Sequence, residues 1–232
     1  MALLGTHVLL ITHDFPGEDD LDFNEWYIRE HMPERVVDLP GFNRGRRFRA
    51  LEKGPRYLAF YETTDARALS SDAYLKLVRN FDPRSRQFVP RFQSPSRTVS
   101  TVRASTGSGE GGVLGLIGFE IRHGLADALR GDASKRLVDE LVKRHGITGA
   151  HLLEADEEAL THSRKGHLRQ NDLVLPWTLL VEAIDEVALD AVWQARLTTA
   201  RLAEDGAGNT LLRCRYRMLF SLTAQHSLKP LE

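Results

Sequence analysis

A short segment near the start of the chain concentrates side chains that can move protons and donate hydrogen bonds. Helical spacing of three to four residues places Asn24, Tyr27, His31 and Arg35 on one face of a predicted helix. An imidazole, with an ordinary pKa of about 6.5, suits acid–base catalysis at neutral pH. We therefore predict that His31 is the catalytic residue and that Asn24 and Tyr27 bind the substrate. The alternative for His31 is a helix-end histidine that bonds to a backbone carbonyl.

Pro33 follows His31 by two positions and cannot supply the backbone N–H that a regular helix uses there. We expect a kink just after His31. Such a kink would aim the imidazole at the sheet rather than at water.

Two predicted strands add further candidates. Tyr57 and Tyr61 alternate to the same face of one strand and are predicted to donate hydrogen bonds to the substrate. A strand predicted over residues 42–51 carries four arginines, of which Arg47 is predicted to hold a substrate carboxylate in fork geometry. The alternative for this strand is an edge strand whose charges protect it against aggregation.

The elements that position these residues occur twice along the chain. Each half has the order strand, helix, strand, strand, helix, strand, and the Gly- and Ser-rich segment 105–112 is predicted to be a flexible linker. The halves are residues 1–104, with the predicted site, and residues 113–232, a degenerate repeat. Residues 57–65 align without a gap with residues 177–185, which indicates an internal duplication.

A β-α-β-β-α-β unit predicts an α+β fold of the ferredoxin-like type, with helices on one face of an antiparallel sheet. The other face of each sheet needs a cover. Two such units in one chain can pack sheet against sheet, as a pseudo-dimeric α+β barrel. The space between the sheets is then the expected ligand cavity.

Three motifs in the first half resemble a known superfamily. They are W-Y-x-x-E-H-x-P at residues 26–33, P-G-F at 40–42 and Y-L-A-F-Y-E at 57–62, and they resemble the dimeric α+β barrel proteins, most closely the EthD-like branch. The second half resembles the superfamily by architecture, because it has no counterpart of the E-H-x-P segment. The superfamily includes cofactor-free oxygenases, muconolactone-type isomerases and haem proteins. The resemblance implies a small apolar or aromatic ligand in the barrel.

Composition narrows the classes of function. With 31 Lys and Arg against 32 Asp and Glu, the net charge of −1 gives no electrostatic support to nucleic-acid or anionic-membrane binding. A single cysteine excludes an internal disulfide and a cysteine-based zinc site. We expect a cytoplasmic protein with no membrane span, no metal and no cofactor. A homodimer is compatible with the sequence.

These observations predict a cofactor-independent isomerase or lyase, decarboxylation included, acting on a small aromatic or unsaturated carbonyl compound. One active pocket per chain is expected, near the first helix. Two alternatives stay open. One is a non-catalytic binding or accessory protein of EthD-like type, and the other is an oxygenase or a haem-binding protein.

Overall fold

The computed structural model describes residues 2–17, 20–164 and 172–224. Its eight strands close into one antiparallel barrel in the order β1-β3-β2-β8-β5-β7-β6-β4. In chain order the strands are β1 His7–Asp14, β2 Phe42–Ala50, β3 Tyr57–Thr63, β4 Gln93–Gly107, β5 Val113–Ile121, β6 Ile147–Ala155, β7 Trp177–Ala183 and β8 Ala207–Thr223.

The barrel consists of two four-stranded ferredoxin-like sheets, β4-β1-β3-β2 and β8-β5-β7-β6, which confirms the predicted fold class. The duplication is visible in the register, because Glu62 lies opposite Val8 and Glu182 lies opposite Leu114 in the corresponding strand pairs. The two sheets do not merely face each other. They are hydrogen-bonded edge to edge through β2–β8 and β4–β6, so the barrel has no free edge strand.

The segment predicted as a linker is shorter than expected. Strand β4 continues through Gly107, and Ser105 pairs with His151 of β6. Gly111 is closely packed, since a Cβ atom there would lie 2.5 Å from the Ala183 carbonyl oxygen. The glycine at this position therefore permits a close backbone approach rather than flexibility.

The helices are shorter than the sequence pattern indicates. The first predicted helix is divided into α1, a π-helical turn at Tyr27–His31 and α2. Two helices predicted over residues 65–81 and 185–204 are likewise divided, because Ser71 and Thr198 accept backbone N–H bonds as N-caps and start new helices inside them. The helices are α1 Asp20–Trp26, α2 Pro33–Val36, α3 Asp72–Arg79, α4 Pro83–Phe88, α5 Ala126–Arg130, α6 Asp132–Val142, α7 Glu157–Ser163, α8 Glu186–Ala195 and α9 Thr199–Glu204. In the part of the chain that the structure describes, none is long and apolar enough to cross a membrane.

Apolar side chains pack in three layers. One lies between the first sheet and its helices, a second between the second sheet and its helices, and the third fills the barrel interior. Leu10 and Phe60 of the first sheet meet Leu116 and Leu180 of the second inside the barrel.

The barrel interior also holds buried ion pairs. Arg44 and Arg46 of β2 point inward, where Arg44 binds Glu62 at 2.8 Å and Arg46 binds Glu182 at 2.8 Å. The edge-strand interpretation of these arginines is wrong, because β2 is hydrogen-bonded to β3 on one side and to β8 on the other. The inward arginines neutralise carboxylates of the chain itself.

Candidate functional site

The predicted polar face of the first helix, which begins in α1 with Asn24, packs on the outer face of the first sheet. Phe23 and Trp26 are fully buried and anchor the helix to the sheet. The Asn24 amide nitrogen donates to the Tyr57 hydroxyl of β3 at 3.1 Å, and the Tyr61 hydroxyl donates to the Tyr27 hydroxyl at 3.4 Å. All of these residues therefore lie outside the barrel, between the sheet and its helices. These residues therefore do not line the space between the two sheets, where a ligand cavity was expected.

His31 ends a π-helical turn. The Met32 N–H donates to the Tyr27 carbonyl, five residues earlier, at 3.0 Å, and Pro33 then starts α2. The expected kink after His31 is thus a wider turn that ends at His31. π-Helical turns are rare in proteins as a whole, and those that occur are frequently found at functional sites. The turn brings the imidazole ring to 4.4 Å from the Trp26 ring and 4.7 Å from the Tyr27 ring, and His31 is 5% exposed.

A small, partly enclosed cavity adjoins His31. Its polar lining comes from His31, from Arg35 of α2 and from Tyr74 of α3. The space open to the centre of a water molecule is about 20 Å³, which is enough for about one water. The apolar lining comes from β1 and from the connection between α3 and β4, namely Leu9, Ile11, Phe81, Val89 and Phe92.

Arg47 lies beside this cavity in a cage of neutral groups. Its guanidinium carbon is 3.6 Å from the Tyr27 ring centre, 4.3 Å from that of Tyr57 and 4.9 Å from that of Phe23. The Nη2 atom donates to the Asn24 side-chain oxygen at 3.0 Å, and Nη1 is buried with no hydrogen-bond acceptor among the described residues. Burial lowers the pKa of Arg47, and the tyrosines around it partly oppose this effect.

The two predicted tyrosines of β3 differ in their roles. The Tyr57 hydroxyl donates to Asp20 in a short hydrogen bond, so it is committed to holding the start of α1. Tyr61 lies fully buried in the layer, and burial raises the pKa of its hydroxyl well above the ordinary value, while the positive charges of Arg35 and Arg47 oppose this. Tyr61 is therefore a neutral donor at physiological pH.

Of the six predicted residues, His31 lines the cavity and the other five form the cluster beside it. Arg35 and Tyr74 line it as well, although the sequence did not single them out as site residues. Arg35 was detectable, because it lies one helical turn after His31 on the same face. Tyr74 has only the spacing of a core residue, and nothing in the sequence distinguishes it from one.

The second half lacks this polar cluster at the positions that the structure describes. At the equivalent strand positions Trp177 replaces Tyr57, Val181 replaces Tyr61 and Leu152 replaces Arg47. These three side chains belong to the apolar layer between the second sheet and its helices. The two sheets have the same topology, but at these positions only the first carries titratable side chains.

The described residues offer little to a metal or a large cofactor. Across residues 2–17, 20–164 and 172–224, no group of three or more His, Cys, Asp and Glu side chains is placed to hold a metal ion. The water-sized space next to His31 does not fit a haem macrocycle in this conformation.

Comparison with known proteins shows the fold. No family model and no curated protein matches the sequence. An anthrone oxidase-like protein aligns with a TM-score of 0.62 at 14% identity, over 94% of this chain and 92% of that one. A candidate monooxygenase from Fusobacterium nucleatum aligns at 0.60 and 9% identity, over 95% and 96% of the two chains. A haem-binding protein from Thermus thermophilus aligns at 0.51 and 13% identity, over 95% and 93%. These structural neighbours share the ferredoxin-like α+β barrel, and they do not single out the EthD-like branch.

Proposed function

We propose that this protein is a cofactor-independent enzyme that transfers protons on a small aromatic or unsaturated carbonyl compound, as an isomerase or a lyase. The substrate binds in the layer between the first sheet and its helices, and His31 is the general acid and base. The observation that carries the proposal is a buried imidazole at the end of a π-helical turn that shares a cavity with Arg35 and Tyr74. The EthD-like resemblance of the segment around His31 supports it.

The groups around His31 suit the formation of an enolate. In the proposed step, the neutral imidazole removes a proton from the carbon next to the carbonyl, which gives an enolate. The imidazolium then returns the proton to another carbon of the enolate, as in an isomerase, or to a β-leaving group as its bond to carbon breaks, as in a lyase. Negative charge then develops on the carbonyl oxygen, and hydrogen-bond donors in a dry site stabilise it strongly. Arg35 and Tyr74 supply those donors at the cavity wall, and the guanidinium of Arg47 adds positive potential behind it.

The size of the cavity sets a condition on substrate binding. A space for about one water does not hold an aromatic ring. Phe81, Val89 and Phe92 cover it from the connection between α3 and β4. Binding therefore requires this connection to move outward, with the ring taking the place of one of the covering side chains.

Oxidation is a second candidate, because the same cation-lined cavity stabilises the electron-rich phenolate or enolate that reacts with oxygen without a cofactor. The structural neighbours named as an anthrone oxidase-like protein and a candidate monooxygenase are consistent with it. Oxygen consumption during turnover separates oxidation from proton transfer. A Soret band in the purified protein would favour the haem-binding alternative instead.

The test is proton exchange catalysed on carbon. The protein is incubated in D2O with a panel of aryl ketones, enones, 2-oxo acids and hydroxyquinols, and loss of each C–H signal is followed by proton NMR. We expect exchange by the wild type and a loss of roughly 10²–10⁴-fold in His31→Gln and His31→Ala. His145→Gln, which changes an exposed histidine of the second half, is the matched control and should keep full activity.

The melting temperature is measured on the same preparations. A histidine with only a structural role would lower stability by about 1–3 kcal/mol, while the activity of each folded molecule survives. Full exchange activity in well-folded His31→Gln contradicts the proposal and leaves a binding protein as the better account.

A further inference from the structure

We infer that the substrate of the proposed site is an organic anion, namely an aromatic or unsaturated carboxylate whose charged group is bound by Arg35. This inference rests on the proposed function and names the class of compound on which it acts. It comes from the balance of buried charge in the layer between the first sheet and its helices.

That layer contains three buried guanidinium groups, on Arg35, Arg47 and Arg97. Among the described residues, one carboxylate lies within ion-pair distance of these three groups. It belongs to Glu34, whose Oε2 atom lies 3.5 Å from Arg35 Nη1. Burial raises the pKa of the Glu34 carboxyl, although the adjacent Arg35 opposes this. A buried cation without a matching anion is strongly disfavoured. Among the residues that the structure describes, the layer therefore has an excess of positive charge that a bound anion would neutralise.

The barrel interior of the same molecule shows how buried arginines are otherwise accommodated. Arg44 has carboxylate oxygens of Glu62 and Glu110 at 2.8 and 2.7 Å, and Arg46 has those of Glu62 and Glu182 at 3.1 and 2.8 Å. Each of these two inward guanidinium groups of β2 is thus paired twice. Arg47, on the outward face of the same strand, has neutral partners in the described part of the chain.

The polar groups that line the cavity are arranged as donors. Arg97 Nη2 donates to the Tyr74 hydroxyl at 3.1 Å, so the proton of that hydroxyl is available for another acceptor. Arg35 has donors only, and it uses Nη1 on the His31 carbonyl at 2.6 Å. Within the ranges that the structure describes, the cavity lining includes no Asp and no Glu. A carboxylate, which accepts hydrogen bonds and carries negative charge, is complementary to this lining.

The test compares two ligands of the same shape and different charge. Binding of 2-naphthoate and of neutral 2-naphthamide to the full chain is measured by isothermal titration calorimetry at pH 7. We expect the wild type to prefer the carboxylate by roughly tenfold or more, as for hydrogen bonds to charged groups. Arg35→Met should lose most of that preference, and Arg35→Lys should keep part of it. Arg29→Met, which removes an exposed charge of the same helical segment, is the matched control and should keep it.

Equal affinity of the wild type for the two ligands, or binding of neither, would overturn the inference. So would a carboxylate preference that persists in folded Arg35→Met. The wild-type comparison needs no variant, so poor folding of Arg35→Met does not remove the test. The proposed function fails separately, if carboxylate-selective binding is found while His31→Gln keeps the exchange activity.

Discussion

Glu182 lies at the centre of the ion pairs inside the barrel, and its replacement by Gln is the most informative test of the fold. One oxygen of the Glu182 carboxylate accepts from Arg46 Nη1 at 2.8 Å and from the Gly111 N–H at 3.0 Å, and the other lies 3.0 Å from His151 Nε2. Glutamine can keep the first two bonds through its oxygen. Its amide nitrogen then faces His151, whose other ring nitrogen can donate to Ser105 at 2.8 Å. The variant therefore keeps the shape and removes the charge.

The magnitude follows from the pKa of Glu182. The imidazole of His151 and the charge of Arg46 outweigh burial and lower this pKa from 4.5 to about 2. A carboxyl whose folded pKa is depressed contributes stability above its unfolded pKa, and this contribution is lost as the pH falls through the folded value. The shift corresponds to about 3 kcal/mol at pH 5 and about 1 kcal/mol at pH 3. Burial lowers the pKa of His151, so protonation of that group also favours the unfolded chain in acid.

The assay is urea denaturation of the wild type and of Glu182→Gln at pH 7, 5 and 3. We expect the variant to be less stable by about 3 kcal/mol at pH 7 and 5, and the difference to shrink to about 1 kcal/mol at pH 3. Glu154→Gln is the matched control. It removes a carboxylate that pairs with Arg103 and Arg130, just as the Glu182 variant removes one that pairs with Arg46 and His151. The pairs of Glu154 reach the surface and should contribute about 0–1 kcal/mol. A difference for Glu182→Gln that does not change with pH would refute the reasoning.

Three further predictions concern packing and access. Gly45→Ala places a Cβ atom 2.9 Å from Val36 Cγ2 and 3.0 Å from Met32 Cγ. We therefore expect urea denaturation to show a free energy of unfolding lower by about 1–3 kcal/mol, and 2-naphthoate to bind more weakly because α2 must move. Gly115→Ala places a Cβ atom 2.6 Å from the Trp193 ring, so we expect a similar loss of stability and a change in the near-UV circular dichroism of the tryptophan. An unchanged spectrum would contradict the packing of α8 on β5. The thiol at position 214 is fully buried, and burial raises its pKa to about 11. It should react with iodoacetamide at pH 8 only after the protein is unfolded, and rapid reaction of the native protein would contradict its placement.

Patterns with a period could be predicted from the sequence. The alternation of Tyr57, Ala59 and Tyr61 on one face of β3, and the alignment with β7, follow from side-chain direction in strands. The helical spacing of Asn24, Tyr27 and His31 was also sufficient to predict that these residues share one face of the helical segment.

Features that depend on distant partners could not be predicted. The destination of the β2 arginines was open, because it depends on which strand pairs with β2 and on Glu182, which lies 136 positions beyond Arg46. The π-helical turn includes a hydrogen bond from the Met32 N–H to the carbonyl of the fifth residue before it, Tyr27, and Pro33 alone does not specify this bond. The candidate residues lie outside the barrel because apolar residues of both halves fill its interior, which no local pattern encodes.

The central claim is that ligands bind between the first sheet and its helices, next to His31. A crystal structure with bound 2-naphthoate tests it most directly. The account predicts the carboxylate within hydrogen-bond distance of Arg35, the ring against His31 in place of Phe81, Val89 or Phe92, and no ligand in the corresponding layer of the second half. Ligand bound inside the barrel, or only in the second half, would contradict it.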